Sequence, residues 1–332
     1  MSETTNIGKD FEGIIKNARS LLAENTWVEQ YKAYAEAMLA NAEFIEEKRG
    51  NFNEWAPLFF YINTTKAMKY TTKLTLDVRY MGQTVATLTC DKNNYVTINT
   101  KEYDSKNYQN FCCTIQLHDV DWKDAGEFRK YFRDREKVRN DKKKCNKEHN
   151  IESMLLTGFT TKKGVDKFLR GIKPVKFAEK IRFAMPTVLS ASDHNNLRFA
   201  KKGGGIDILA RVEPARLCVI EVKDEITKAE PPDAALQQAV EYTVFIRELL
   251  RSKAGPLWWK LFGFNREIPA PGKLTICAAC AMQVPETDVL IDESFGGKRF
   301  DIDGDCIECH YIYFVVADDN TSLKLIKTSL GR

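Results

Sequence analysis

Two short stretches decide how this chain is read: Gly205-Ile206-Asp207-Ile208-Leu209 and Val219-Ile220-Glu221-Val222-Lys223. Each is an apolar, strand-like run interrupted by charge. An ionised side chain is costly in such a strand unless a partner or a bound cation compensates. Glu221 and Lys223 are two residues apart, so on a strand they project from the same face. Asp207 sits on the preceding run, and the connection around Glu213-Pro214-Ala215 is short. Antiparallel pairing of the two runs therefore brings Asp207 beside Glu221.

The surrounding pattern is that of an α/β unit. Glu148 to Phe159 reads as a helix, with Ile151, Met154 and Leu155 on its apolar side. An extended run covers Val175 to Leu189, and Gly203 to Gly205 make a turn before the strand Ile206 to Val212. Leu217 to Val222 is almost wholly apolar, as a strand covered on both faces must be. Pro231-Pro232-Asp233 opens a helix over Ala234 to Leu250, since proline is favoured at a helix start. Lys273 to Val284 and Cys306 to Val316 are two further apolar strands. Helices alternating with strands in this order imply a mixed sheet flanked by helices.

Two carboxylates beside an ammonium group form a chemically usable set. The carboxylates offer oxygen ligands to a hard divalent cation. A cation held there polarises a phosphoryl group and acidifies a bound water, and a neighbouring lysine helps generate or steady the hydroxide. An acid-x-Lys triplet alone is common; its setting in a buried strand gives it weight. The plain alternative is an ion-pair network inside an ordinary sheet.

With Asp207, thirteen intervening residues and then Glu221-Val222-Lys223, the chain resembles the PD-(D/E)xK nuclease superfamily. Ile206 stands where the family name has proline. Gln238-Ala239-Val240-Glu241-Tyr242 is similar to the Gln-x-x-x-Tyr element of RecB-like members, and its two named residues share one helix face. The resemblance spans Glu148 to Val316. It implies a restriction-endonuclease-like fold and hydrolysis of DNA, with RNA second. Asp207 and Glu221 would hold Mg2+ or Mn2+, with Glu152 completing the set and Glu179 its substitute. Lys223 would act on the attacking water. Gln238 and Tyr242 would belong to the catalytic set, Gln238 orienting its neighbours. A fold of this kind that binds nucleic acid or a protein partner without cutting is the alternative.

Three parts are expected: an α+β unit over 1–122, a basic linking helix over 123–147, and the nuclease-like region over 148–332. In the first, Phe11 to Arg49 reads as two helices broken at Asn25-Thr26. A strand meander with hairpin turns follows from Tyr70 to Leu117, its last strand over Phe111 to Leu117. This unit carries no chemical motif. It is expected to serve the recognition of substrate, a protein partner or a small-molecule signal, or a homodimer contact.

Net charge is +4, but Phe128 to Glu148 alone carries +6. Arg129, Lys130, Arg133, Arg135, Lys142, Lys143 and Lys144 in that segment are candidates for phosphate contacts; a solvated helix face is the plain alternative. The hydrophobic share is 43% and the charged share 29%, ordinary for a globular protein. No apolar run is long enough to cross a membrane, and Met1 to Asp10 lacks an apolar signal core. A cytoplasmic protein with free thiols is therefore expected of the nine cysteines. Cys277-Ala278-Ala279-Cys280 and Cys306-Ile307-Glu308-Cys309 are not expected to form a structural zinc site, because residues three apart on a strand face opposite sides. His149 precedes Glu152 by three residues, and the Trp258-Trp259 cluster is expected to cap a core.

Overall fold

The structure, a computed structural model, describes residues 10–24, 26–47, 55–63, 73–91, 93, 95–100, 111–135, 147–160, 171–191, 197–200, 204–213, 215–227, 230–284, 292–317 and 323–330. Six helices occur among them: α1 (Phe11–Leu22), α2 (Thr26–Glu47), α3 (Gly126–Arg135), α4 (Lys147–Thr160), α5 (Pro232–Arg251) and α6 (Gly255–Leu261). The strands are β1 (Phe59–Asn63), β2 (Lys73–Tyr80), β3 (Gln83–Asp91), β4 (Val96–Thr100), β5 (Val120–Asp121), β6 (Ile172–Pro174), β7 (Lys176–Phe177), β8 (Ile181–Pro186), β9 (Leu189–Ser190), β10 (Arg198–Phe199), β11 (Gly205–Ile206), β12 (Ile208–Val212), β13 (Arg216–Lys223), β14 (Thr275–Gln283), β15 (Arg299–Ile302), β16 (Asp305–Val316) and β17 (Leu323–Thr328). The architecture is mixed α/β. No helix among the described residues is long and apolar enough to cross a membrane.

Two mixed sheets carry the fold. The first runs β11-β8-β1-β2-β3-β4-β5, with β7 also on β8; the second runs β15-β16-β14-β13-β12-β6, with β17 also on β16. In the second sheet β13, β14 and β16 are parallel neighbours. Alternate residues of β13 enter two different cores. Leu217 and Val219 join helices α1, α2, α5 and α6, while Cys218, Ile220 and Val222 meet Ile151, Leu155, Leu156 and Phe159 of α4. Burial on both faces explains why β13 is apolar throughout its middle. Helix α5 is itself buried nearly all round, because α1 covers the side that the sheet leaves open. A helix apolar on every side is stable only in such a sandwich.

The N-terminal residues do not pack as a body apart. Strand β1 pairs in parallel with β8, so the first sheet crosses the boundary expected at 122. Trp258 of α6 donates to the Tyr31 carbonyl of α2 at 3.0 Å, fixing the Trp258-Trp259 cluster in the core. Residues 111–117 are not the strand expected from their apolar content. Phe111 and Cys112 adopt left-handed φ values of 50° and 62°, which breaks any ladder. Leu117 exchanges hydrogen bonds with Thr100 of β4, and the Gln116 side chain accepts the Thr100 hydroxyl. The basic helix is described only over Gly126–Arg135, and Lys142, Lys143 and Lys144 lie outside the described residues.

Candidate metal centre

The chain passes from one sheet to the other at Asp207. Strand β11 pairs with β8 in the first sheet, and β12, one residue later, pairs with β13 in the second. Asp207 belongs to neither ladder, and its carboxylate supplies the partner that the break leaves out: Oδ2 accepts the Val222 N–H at 2.8 Å. Ile208 faces Ile220 across the pair, so Asp207 comes level with Glu221. One carboxylate oxygen each from Glu148, Asp207 and Glu221 lie within 4.8 Å of one another. Lys223 Nζ stands 3.1 Å from Glu221 Oε1 and 3.6 Å from Glu148 Oε1. Glu221 and Lys223 are each 6% exposed. The Glu148 side chain, 38% exposed, is the open side of the cluster.

The charges are poised by burial and by each other. Burial raises the Asp207 carboxyl well above the usual range; Glu221, Glu152 and Glu148 add to the rise against the Val222 N–H. Burial pushes Glu221 up to about 7 although Lys223 pulls it down. Burial also raises Glu148, opposed by Lys223. Lys223 is the converse: burial lowers it, but Glu221, Glu148 and Asp207 outweigh that and raise it. It is therefore held as an ammonium. Glu221 Oε2 is buried with no hydrogen-bond partner among the described residues.

Glu152, expected as the third ligand, is not in the group of three. It is 3.6 Å from His149 Nδ1 and acts on Asp207 through its charge. Glu148, one helical turn earlier, takes the place. Helix α4 docks through Ile151 and Leu155, and its first turn is fixed by the β2–β3 hairpin. Gly82, at φ +76°, lies so close that a Cβ there would overlap the His149 carbonyl. Glu179 is exposed at a left-handed φ of 61° in the β7–β8 turn, apart from the cluster. Glu241 was not anticipated. Gln237 donates to it at 3.1 Å, and burial, with help from Glu221, pushes it up to about 7.

Gln238 and Tyr242 grip a backbone rather than a carboxylate. Gln238 Nε2 donates to the Ala191 carbonyl at 2.7 Å, and Tyr242 Oη accepts the Ala191 N–H at 3.3 Å. Gly204 packs so tightly against Tyr242 that a Cβ would strike its hydroxyl. The pair thus anchors the segment that leads to Asp207.

On α3, Phe132 is buried against Tyr80 and Phe111, and Phe128 is buried against Phe132. Arg129 turns inward, bonding the Trp122 and Lys123 carbonyls and stacking on Trp55 and Trp122. Lys130 pairs with Asp134 at 3.6 Å, Arg135 stacks on Tyr131, and Arg133 is exposed. The two Cys-x-x-Cys pairs do not converge on one point: Cys280 and Cys309 share one core and Cys277 the other. No protein-family model, curated protein or solved structure matches this chain.

Proposed function

We propose that the chain is a metal-dependent phosphodiesterase acting on nucleic acid, DNA before RNA. In this reading the second sheet, with α4 and α5 against its faces, is a restriction-endonuclease-like core. The observation that carries the reading is the convergence of Glu148, Asp207 and Glu221 within 4.8 Å, with Lys223 against them. The residues fit a hard divalent cation. Like charges crowd in a buried place, both Asp207 and Glu221 are driven toward their acid forms, and the buried Glu221 Oε2 has no partner among the described residues. A cation would relieve all three, and an all-oxygen donor set suits Mg2+ or Mn2+.

Glu148, Asp207 and Glu221 would hold the ion, which when bound polarises a phosphoryl oxygen and acidifies a water. Lys223, kept charged by its neighbours, does not take a proton; it steadies a negative oxygen next to Glu221. The Val222 N–H holds Asp207 in place, and Gln238 and Tyr242 hold the segment before it. Phosphate contacts outside the centre fall to Lys130, Arg133 and Arg135, since Arg129 is occupied.

A second reading, a nuclease-like module that binds nucleic acid or a protein without cutting, draws on one observation. Gln238 and Tyr242 direct their bonds to Ala191 and none to the carboxylates. Incubation with linear, circular and single-stranded DNA, and with RNA, in magnesium, manganese or chelator separates the two. Metal-dependent cutting lost in folded Asp207→Asn and Lys223→Ala variants supports the nuclease. Binding without cutting on every substrate supports the silent module.

A further inference from the structure

The face of the second sheet turned toward α4 carries another cluster, built from different chemistry. Cys218, Cys277 and Glu308 lie side by side in register on β13, β14 and β16. His310 follows two residues after Glu308 and so shares its face. The Cys277 thiol, a Glu308 carboxylate oxygen and a His310 ring nitrogen lie within 4.8 Å of one another. Cys218 and Cys277 are wholly buried and His310 is 4% exposed.

The polar atoms around the cluster leave a gap at its centre. His310 Nε2 is buried and has no hydrogen-bond partner among the described residues; Glu308 Oε1 stands 3.5 Å from it. The other ring nitrogen is 3.2 Å from Ser329 Oγ, and that oxygen also accepts the Tyr311 N–H at 3.1 Å. A partner on the second ring nitrogen is what orients a ligating histidine. Arg216 holds the other Glu308 oxygen at 2.8 Å. Cys218, the register neighbour of Cys277 on β13, is buried beside it. Thiolate, imidazole and carboxylate are the donors that zinc accepts, whereas magnesium takes oxygen alone.

We infer that Cys277, Glu308 and His310 form a zinc site distinct from the carboxylate cluster. Cys218 lies three residues before Glu221 on β13, roughly 10 Å along the strand, and on the opposite face. Cys277 and His310 are buried, Glu308 is half-buried, and the three come from the adjacent strands β14 and β16, with Ser329 behind the histidine. A metal held there would tie β14 to β16 inside the sheet, a structural role.

The test uses reduced, full-length protein titrated with Co2+ and then Zn2+. Expected is a stoichiometric thiolate-to-cobalt charge-transfer band in the near ultraviolet that zinc abolishes. The band should persist in Asp207→Asn and vanish in Cys277→Ser and His310→Gln. Wild type needs no variant to fold, so its failure to show a thiolate band overturns the site. A band unchanged in both variants, or a Cys218–Cys277 disulfide found by mass spectrometry in place of bound metal, also overturns it. Because Asp207→Asn is included, loss of the zinc site and loss of the nuclease reading are seen separately.

Discussion

Replacing Asp207 by asparagine removes a carboxyl that burial and its acidic neighbours hold well above the usual range, and keeps an oxygen to accept the Val222 N–H. Asp207 lies within 4.8 Å of Glu148 and Glu221. Two unit charges at that separation repel by roughly 3 kcal/mol at an effective dielectric constant of about 20. Glu221 adds a rise of its own, from burial first and then from Glu148 and Glu230 against Lys223. A carboxyl moved from 4.5 to about 7 favours its protonated form by roughly 3 kcal/mol, with the Lys223 attraction already included. The sign follows from the direction of the shift. A raised carboxyl contributes stability that is complete below its ordinary value and is lost as the pH climbs through about 7. In chelator, wild type should therefore lose stability between about pH 5 and pH 8, and Asp207→Asn should lose up to roughly 3 kcal/mol less. Glu241 titrates in the same range, so the difference between the two proteins isolates the cluster. Urea unfolding at both pH values, with chelator and with magnesium, measures it. Magnesium should restore wild type at the higher pH and leave the variant unmoved. A variant whose stability falls with pH as steeply as wild type refutes the reasoning.

Three other outcomes are expected. Gly82→Ala should displace the start of α4 through the His149 carbonyl and weaken Mg2+ or Mn2+ binding, read by calorimetry. The same substitution at the open Gly171, where an added methyl group would meet nothing within 4 Å, should leave binding alone. Tyr242→Phe should cost about 1 kcal/mol in unfolding, because the Ala191 N–H loses its acceptor; unchanged stability would show that the 3.3 Å contact carries nothing. Lys130→Ala with Arg133→Ala should flatten the dependence of DNA affinity on salt by a slope of about two, while Arg129→Ala should lower stability with little change in that slope.

Much of the carboxylate centre is readable along the chain. A strand repeats every two residues, so Glu221 and Lys223 must share a face. A short antiparallel connection must bring Asp207 opposite them. Helix α5 is equally legible, from its opening prolines and the buried periodicity that follows. The choice of Glu148 over Glu152 is not. Both lie on the same helix one turn apart, and which reaches the cluster depends on how Ile151 and Leu155 dock and where the β2–β3 hairpin stops the helix.

Sequence alone determined the elements around the carboxylate centre and the β12–β13 pairing, because dihedral preference and hydrophobic period act over a few residues; it misread residues 111–117, where left-handed Phe111 and Cys112 replace the expected strand. Only the tertiary structure decided that β1 joins β8, that Gln238 and Tyr242 grip Ala191, and that Cys277 meets His310. Each depends on parallel register or helix docking between segments tens of residues apart, and no local period encodes that register. It is set when the two faces of β13 are buried at once, by α5 on one side and α4 on the other.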